Sequence, residues 1–379
     1  MADAESDPVP PGDARPTQLD RGQPGRRDAV DDRLILTICV PTFSRPELVQ
    51  RAIASIIESA KGFETSVEII VSDNSPEISE RACREALAAW TGSSTYIGNK
   101  VDIGISGNLN QCIARAGGPY IVFVHDDDRL LPGAVPAILR AIGEQGPDDE
   151  VLLMGVHIVD GAGNLIRRQE FCRDERVIPS DALERLLSDN GIAWFPGVVV
   201  SADAYAAVGP FDPSVGNATD LEMWVRLFAG YGVRCVPHSI SAYTVHSGSA
   251  TQTMAFDGDA VSNLIGIFDR ARRMKVLRSR TIDRSQAQFL HQVILGAAYA
   301  ELRAGNRARA RKVMTLFDLP TVKALAPPLE WLPARWISTM VVRSPSFLVR
   351  PLVAVVDRLD LVRRVRAVGV RGRGRMPFC

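Results

Sequence analysis

From residue 34 onwards, the chain alternates short runs of apolar, β-branched residues with longer segments of helical periodicity. The clearest runs cover residues 34–40, 67–72 and 120–124, and each is followed by a segment with an apolar residue at every third or fourth position. This alternation predicts parallel strands joined by helical crossovers. We therefore expect an α/β protein whose mostly parallel sheet is flanked by helices.

The composition agrees with a folded, globular chain of about two domains. Of its 379 residues, 46% are hydrophobic and 23% are charged, which excludes a disordered or collagen-like protein. The 44 basic and 44 acidic residues cancel, so we expect no nucleic-acid partner. Six isolated cysteines without a CxxC pair predict free thiols in a reducing cytosol.

The pattern divides the chain into four regions. Residues 1–32 hold five prolines and eight acidic residues, which predicts a disordered leader. Residues 33–256 carry the α/β alternation. Residues 257–326 show only helical periodicity, including a helical hairpin over residues 286–317 that turns at Gly305 and Asn306, and we expect an all-helical C-terminal extension there. Residues 327–379 form a separate basic segment.

This basic segment predicts contact with a membrane surface. From residue 331 to the end there are ten arginines and two acidic residues. Six apolar residues fall at helical spacing there: Leu352, Val355, Val356, Leu359, Val362 and Val365. A basic amphipathic helix of this kind lies on anionic membrane surfaces. The alternative is a last helix that packs on the domain with its arginines in solvent.

No uninterrupted apolar stretch reaches 18 residues, so the sequence predicts no transmembrane span. We therefore expect a cytoplasmic protein, either free or peripheral on the inner face of the cell membrane. A homo-oligomer formed through the helical end is left open.

Polar clusters follow three of the predicted strands. They read PTFSR (residues 41–45), SDNS (residues 72–75) and HDDD (residues 125–128). In an open parallel sheet, the carboxyl ends of the strands lie at one edge, and ligands bind beyond that edge. We therefore expect these three clusters to lie together around one ligand.

The acids in the third cluster indicate a divalent cation. Asp126 and Asp127 are adjacent at the end of an apolar strand, where like charges repel unless a cation lies between them. Mn²⁺ and Mg²⁺ prefer carboxylate and phosphate oxygens as ligands. The alternative is that Asp128 caps a helix over residues 130–139 while the other two acids are simply solvated.

These segments resemble the family 2 glycosyltransferases of the GT-A fold, and the resemblance runs over residues 36–246. It rests on TICVPTFSRP (37–46), EIIVSDNS (68–75), GGPYIVFVHDDD (117–128) and TDLEMW (219–224). The resemblance implies an inverting enzyme that uses a nucleotide-diphosphate sugar as donor and Mn²⁺ or Mg²⁺ as cofactor.

The resemblance also assigns residues to the donor. It implies that the loop after the first strand lines the nucleotide pocket, with Pro41, Thr42, Ser44 and Arg45. It further implies that Asp73 binds the base edge and Asp127 the metal. Either His125 or Asp126 contacts the ribose, and this choice is open because His125 stands where the family commonly has Asp.

The resemblance places the general base at Asp220, at the start of a helix that faces the acceptor. Thr219 stands where the family usually has a first acid, and Trp224 follows as in the family. The base would take the proton of an attacking acceptor hydroxyl. The alternative is that Asp220 only stabilises the N-terminus of its helix.

Two further residues have open assignments. Asn108, on the helix before the acidic strand, either faces the nucleotide or is a surface residue. His246 follows a predicted strand and either contacts the metal and diphosphate or is a loop histidine without such a role.

The sequence therefore predicts a metal-dependent, inverting glycosyltransferase that acts on a hydroxyl acceptor. A membrane-bound C-terminal segment favours a lipid-linked acceptor in the assembly of a surface polysaccharide or glycolipid. One alternative is a sugar nucleotidyltransferase, although residues 41–45 lack the glycine-rich loop that it needs. Another is a catalytically silent nucleotide-sugar-binding protein, which the departures at His125 and Thr219 favour.

Overall fold

The computed structural model describes residues 34–144, 146, 149–189, 191–245 and 256–344. The predicted leader, His246 and the amphipathic stretch over residues 352–365 lie outside these described residues. Within them, no helix combines the length and apolar character that crossing a membrane requires.

Ten strands form one sheet in the described part of the chain. The strands are β1 (Leu36–Thr42), β2 (Val67–Asp73), β3 (Ser93–Gly98), β4 (Tyr120–Phe123), β5 (Arg129–Leu130), β6 (Val151–Asp160), β7 (Leu165–Gln169), β8 (Glu175–Val177), β9 (Val198–Ser201) and β10 (Val233–Val245).

Helices cover both faces of this sheet. The helices are α1 (Pro46–Ala60), α2 (Pro76–Leu87), α3 (Gly104–Arg115), α4 (Ala134–Gly143), α5 (Pro179–Ser188), α6 (Ala202–Val208), α7 (Thr219–Tyr231), α8 (Gly258–Met274), α9 (Ser279–Arg303), α10 (Arg307–Met314), α11 (Pro320–Lys323) and α12 (Leu332–Arg343). Short 3₁₀ turns lie at Phe195–Gly197, Pro213–Ala218, Thr315–Asp318 and Leu329–Trp331.

The first half of the sheet has the predicted parallel arrangement. Its strands lie in the order β3-β2-β1-β4, and all three pairings are parallel. The buried strands β1, β2 and β4 are apolar on both faces, as expected for parallel strands covered by helices. Their carboxyl ends therefore lie at one edge.

The second half of the sheet is mixed. β9 pairs antiparallel with both β4 and β6, β10 runs parallel to β6, and β5 and β8 pair antiparallel with β10. The α/β class is thus confirmed, but the sheet is mixed rather than mostly parallel. One reason is the turn over residues 161–164, which joins β6 to β7 and is too short for a parallel crossover.

The helices after residue 256 confirm the predicted helical C-terminal region. The predicted hairpin is also present, because α9 ends at Arg303 and α10 begins at Arg307. These helices share a core with the α/β part: Phe268 and Phe289 belong to the same buried cluster as Trp224 of α7. The helical region therefore supports the helix that carries Asp220.

Candidate active site

Side-chain hydrogen bonds join the loops at the carboxyl ends of β1, β2 and β4. The amide N–H of Ser44 donates to the Ser75 hydroxyl at 2.6 Å, which links the first two loops. The Thr42 hydroxyl donates to Asp126 at 2.8 Å, which links the first loop to the acidic one. The polar clusters that the sequence placed after three strands do lie together.

Arg45 lies between the first two acids of the acidic loop. Its Nη1 atom is 3.0 Å from an oxygen of Asp126 and 2.9 Å from an oxygen of Asp127. Burial raises the pKa of Asp126, although Arg45 opposes this shift. Burial alone would lower the pKa of Arg45, but the two carboxylates raise it. Both carboxylates thus contact the same positively charged nitrogen, Nη1 of Arg45.

A network of buried amides holds the loops after β2 and β3. The Asn99 amide donates to the side-chain oxygen of Asn74 at 2.8 Å and to that of Asn108 at 3.3 Å. The Asn108 amide in turn donates to the carbonyl of Thr42 at 3.2 Å. Asn108 is buried, so the alternative of a surface asparagine is wrong. Asn108 therefore helps to fix the loop after β1.

Asp73 is also buried, at the end of β2. One carboxylate oxygen accepts from the amide and the hydroxyl of Ser75, at 2.8 and 3.0 Å. The other accepts from the phenol of Tyr96 at 3.0 Å. Asp73 therefore fixes the loop that carries Ser75, and its contact with a base stays a prediction.

Asp128 joins the acidic loop to β10. It does not cap the next helix, because α4 begins at Ala134 after Gly133, whose positive φ of 78° suits a glycine. One oxygen of Asp128 accepts from the amide of Thr244 at 2.9 Å. The other has no hydrogen-bond partner among the described residues. Burial raises the pKa of Asp128 well above its usual value, and the neighbouring acids add to this.

His125 lies on the side of the acidic loop that faces α7. Its ring is 4.7 Å from that of Phe195, which lies 5.2 Å from the buried Trp224 of α7. About a quarter of the His125 side chain is exposed, whereas Asp126 is buried. The aromatic contacts thus bring the acidic loop against the helix that begins with Thr219.

Asp220 lies in the first turn of α7, whose N-cap residue is Ala218. Asp220 is therefore not the cap itself, although one oxygen accepts from the Leu221 amide at 2.7 Å. Burial raises the pKa of Asp220, while this hydrogen bond and the charge of His125 partly oppose the rise. The opposing effect of His125 indicates that the two side chains lie within electrostatic reach.

Thr219 explains one departure from the family pattern. Its buried hydroxyl lies 2.9 Å from that of Ser106 on α3, so the pair fixes α7 against α3. A carboxylate at this position would be buried beside a hydroxyl instead of facing a ligand. The substitution therefore has a structural role here.

Tyr243 of β10 is a site residue that the sequence did not reveal, because the residue reads only as part of a strand. Burial raises the pKa of its phenol, and the charges of Asp128, Asp127 and Asp220 raise it further. The phenol thus lies within reach of both the acidic loop and Asp220. Asn99 was also missed, although it follows β3 and obeys the same strand-end rule that found the other clusters.

The predicted site residues fall into two groups. Those with little or no exposure support the others: Pro41, Thr42, Asp73, Asn108 and Asp126. Those with an exposed or partly exposed side chain are Ser44, Arg45, His125, Asp127 and Asp220. Within the described residues, no group of three or more His, Cys, Asp or Glu side chains forms a metal site, and His246 lies outside them.

The mixed α/β sheet with helices on both faces and an acidic loop at its edge matches the GT-A fold that the resemblance implied. A solved structure of Staphylococcus aureus TarS (residues 1–349) with UDP-GlcNAc agrees with this fold. It superposes with a TM-score of 0.56 over 89% of this chain and 90% of TarS, at 15% identity, so the likeness concerns the fold.

The sequence comparison agrees with this fold. The model of glycosyl transferase family 2 matches residues 37–205, which include the acidic loop, β9 and all of β1 except Leu36. The match covers 169 of the 379 residues, and over this part the chain is similar to that family.

Two curated relatives match parts of the chain. An uncharacterised Mycobacterium tuberculosis protein, MT1568, is 26% identical over 217 residues, which are 55% of this chain and 66% of the relative. The Campylobacter jejuni GalNAc(5)-diNAcBac-PP-undecaprenol beta-1,3-glucosyltransferase is 33% identical over 110 residues, which are 29% of this chain and 35% of the relative. The matches thus span under two thirds of both relatives.

Proposed function

We propose that this glycosyltransferase moves a sugar from a nucleotide diphosphate to a hydroxyl acceptor with inversion of the anomeric centre. The observation that carries the proposal is the chain of ring contacts from His125 through Phe195 to Trp224, which places the acidic loop against α7, the helix that carries Asp220. A donor held at Asp127 and an acceptor activated by Asp220 would therefore meet in one space.

The accessible residues around the β1 loop suit a nucleotide. Phe43 is 51% exposed beside the acidic loop, and its ring offers a flat apolar face to a base. We assign the ribose contact to His125, because Asp126 already accepts hydrogen bonds from Thr42 and Arg45. Arg45 would bind the diphosphate once a cation neutralises its carboxylate partners, Asp126 and Asp127.

The donor set fits a Mn²⁺ or Mg²⁺ ion bound mainly by Asp127. Asp126 and Asp127 converge on one cationic nitrogen, and these ions accept few protein carboxylates together with phosphate oxygens and water. When bound, the ion would neutralise charge on the departing diphosphate. The assignment of His246 as a further ligand stays a prediction.

Asp220 is assigned as the general base. Its carboxylate would accept the proton of the acceptor hydroxyl as that oxygen forms a bond to the anomeric carbon and the bond to the diphosphate breaks. The raised pKa makes the carboxylate a better proton acceptor than an ordinary aspartate. Direct attack from the face opposite the leaving group gives the inverted product.

A lipid-linked acceptor in surface polysaccharide or glycolipid assembly is the favoured acceptor class. The support is the Campylobacter relative, whose name gives a lipid-linked glycan, GalNAc(5)-diNAcBac-PP-undecaprenol. Such an acceptor would keep the enzyme at the inner face of the cell membrane. The C-terminal part of the chain would then form the peripheral contact.

The test is a screen of nucleotide sugars with Mn²⁺ that measures both thermal stabilisation and the released product. We expect stabilisation by one nucleoside diphosphate and metal-dependent release of that diphosphate when the acceptor is present. Release of pyrophosphate would instead show a nucleotidyltransferase. Tight donor binding without turnover on any acceptor would show a silent binding protein, which the departure at His125 favours.

A further inference from the structure

The last described helix carries an exposed stripe of large apolar side chains. The stripe consists of Leu329, Leu332, Trp336 and Met340, which are 78, 38, 66 and 51% exposed. The last three recur every four residues on α12, so they lie along one face of the helix. An exposed run that includes a tryptophan is unusual for a soluble surface and indicates a binding face.

The opposite face of α12 already packs against the protein. Val341 and Val342 are buried in a small cluster with Leu302 of α9 and Ala310 of α10. The end of the helix is also fixed, because Arg307 and Arg311 donate to the carbonyl of Val342 at 2.9 and 3.0 Å. The apolar stripe is therefore presented outwards by a helix whose other side is anchored.

The surroundings of the stripe are basic. Residues 304–344 contain seven basic residues and two acidic ones. On α12 itself, Arg343 is exposed, and Arg335 lies over the ring of Phe317 at 4.2 Å. The described helix thus combines an apolar face, a tryptophan and positive charge, which are the properties of helices that lie in a membrane interface.

We propose that α12 docks the enzyme onto an anionic lipid surface through the stripe formed by Leu329, Leu332, Trp336 and Met340. The helix would lie parallel to the membrane, with Trp336 at headgroup depth and the arginines paired with lipid phosphates. This inference rests on the lipid-linked acceptor of the proposed function and names the surface that would bring the enzyme to it.

Charge favours lipid over a second copy of the chain. Two copies that pair through α12 would bring Arg335 and Arg343 of both copies close together, and like charges repel. An anionic bilayer instead matches both the apolar stripe and the positive charge around it. Each basic residue close to an anionic surface adds to the attraction.

The experiment measures binding of the full chain to vesicles by co-sedimentation. One vesicle set contains phosphatidylglycerol and the other contains phosphatidylcholine alone. The test variant is Trp336→Ser. The matched control is Ile178→Ser, which removes an apolar side chain of similar exposure (61%) at a position far from α12 in the sequence. Acrylamide quenching of wild type and Trp336→Phe, without lipid, reports whether Trp336 is open to solvent.

We expect wild type and Ile178→Ser to bind the phosphatidylglycerol vesicles, and Trp336→Ser to bind about tenfold more weakly. Nucleoside diphosphate release with a water-soluble acceptor should be equal in all three, which separates this inference from the proposed function. Equal vesicle binding by Trp336→Ser would overturn it. The proposal would also be overturned if Trp336 were shielded from acrylamide in the absence of lipid. Self-association of the wild type that Trp336→Ser abolishes would overturn it as well.

Discussion

The two halves of the α/β domain satisfy their buried polar groups in different ways. In residues 34–144, here the donor half, the side chains at the sheet edge bond to one another, as Asp73, Asn99 and Asn108 do. In residues 149–245, the acceptor half, the buried Trp224 indole N–H and the Ser241 hydroxyl have no hydrogen-bond partner among the described residues, whereas in the described donor half this holds for one oxygen of Asp128.

This difference predicts that substitutions in the two halves will have different effects on stability, donor binding and activity. The donor half is preorganised, so a substitution there should cost stability and donor affinity together. The acceptor half carries Asp220 with a raised pKa, which means that folding disfavours the charge that the proposed general base needs. A substitution there should cost activity without costing stability.

Asp220→Asn should give the largest effect. We expect turnover to fall about 10²–10⁴-fold, since the amide cannot accept the acceptor proton. The melting temperature should be unchanged or higher, because the substitution removes a carboxylate whose charge the folded state disfavours. Parallel activity and thermal-melting assays check this, with the exposed Asp203→Asn as control. Near-wild-type turnover by Asp220→Asn would show that another group is the base.

Asp127→Ala should give the next largest effect, on the donor half. Stabilisation of the protein by Mn²⁺ with a nucleoside diphosphate should disappear, because the main carboxylate ligand is lost. The measurement is a thermal-shift titration with Mn²⁺ against the surface control Glu58→Ala, whose side chain is 66% exposed. If the metal-dependent shift survives in Asp127→Ala, the metal assignment is wrong.

A matched pair of alanine substitutions compares the two halves directly. Asn99→Ala removes three donated hydrogen bonds in the donor half and should lower the free energy of unfolding by about 1–3 kcal/mol. Ser241→Ala removes a buried hydroxyl that has no partner among the described residues and should be nearly neutral. Urea unfolding of both variants checks this, and equal losses would contradict the division between the halves.

The smallest expected effect is the contribution of Asp128 to the pH dependence of stability. Because its pKa is raised in the folded state, the folded protein binds this proton more tightly than the unfolded chain does. The free energy of unfolding should therefore fall as the pH rises from the pKa of Asp128 in the unfolded chain to its higher pKa in the folded protein. Asp128→Asn should make stability less dependent on pH in metal-free buffer. An unchanged pH profile would show that Asp128 has an ordinary pKa.

The sequence predicted the donor half better than the acceptor half, for a physical reason. Parallel strands carry their polar residues to one edge, so the runs before Arg45, Asp73 and His125 were sufficient to bring those residues together. Which of them face a ligand was not predictable, because burial of Asp73 and Asn108 depends on partners such as Tyr96 and Asn99 that come from other elements.

The acceptor half was harder to predict because its strands do not follow the βαβ rule. β9 reverses direction between β4 and β6, and β10 continues through two register shifts between Val236 and Ser241. The place of Tyr243 between the acids follows from this pairing with β6 and not from any motif. The likeness to family 2 supplied Asp220, which periodicity alone would not have singled out.

Calorimetric titration of nucleoside diphosphate and Mn²⁺ into wild type and Asp220→Asn tests this division most directly. If the donor half binds independently of the base, both proteins will have the same Kd although only wild type transfers sugar. A loss of nucleotide affinity in Asp220→Asn that matches its loss of turnover would contradict the separation of donor binding from acceptor activation.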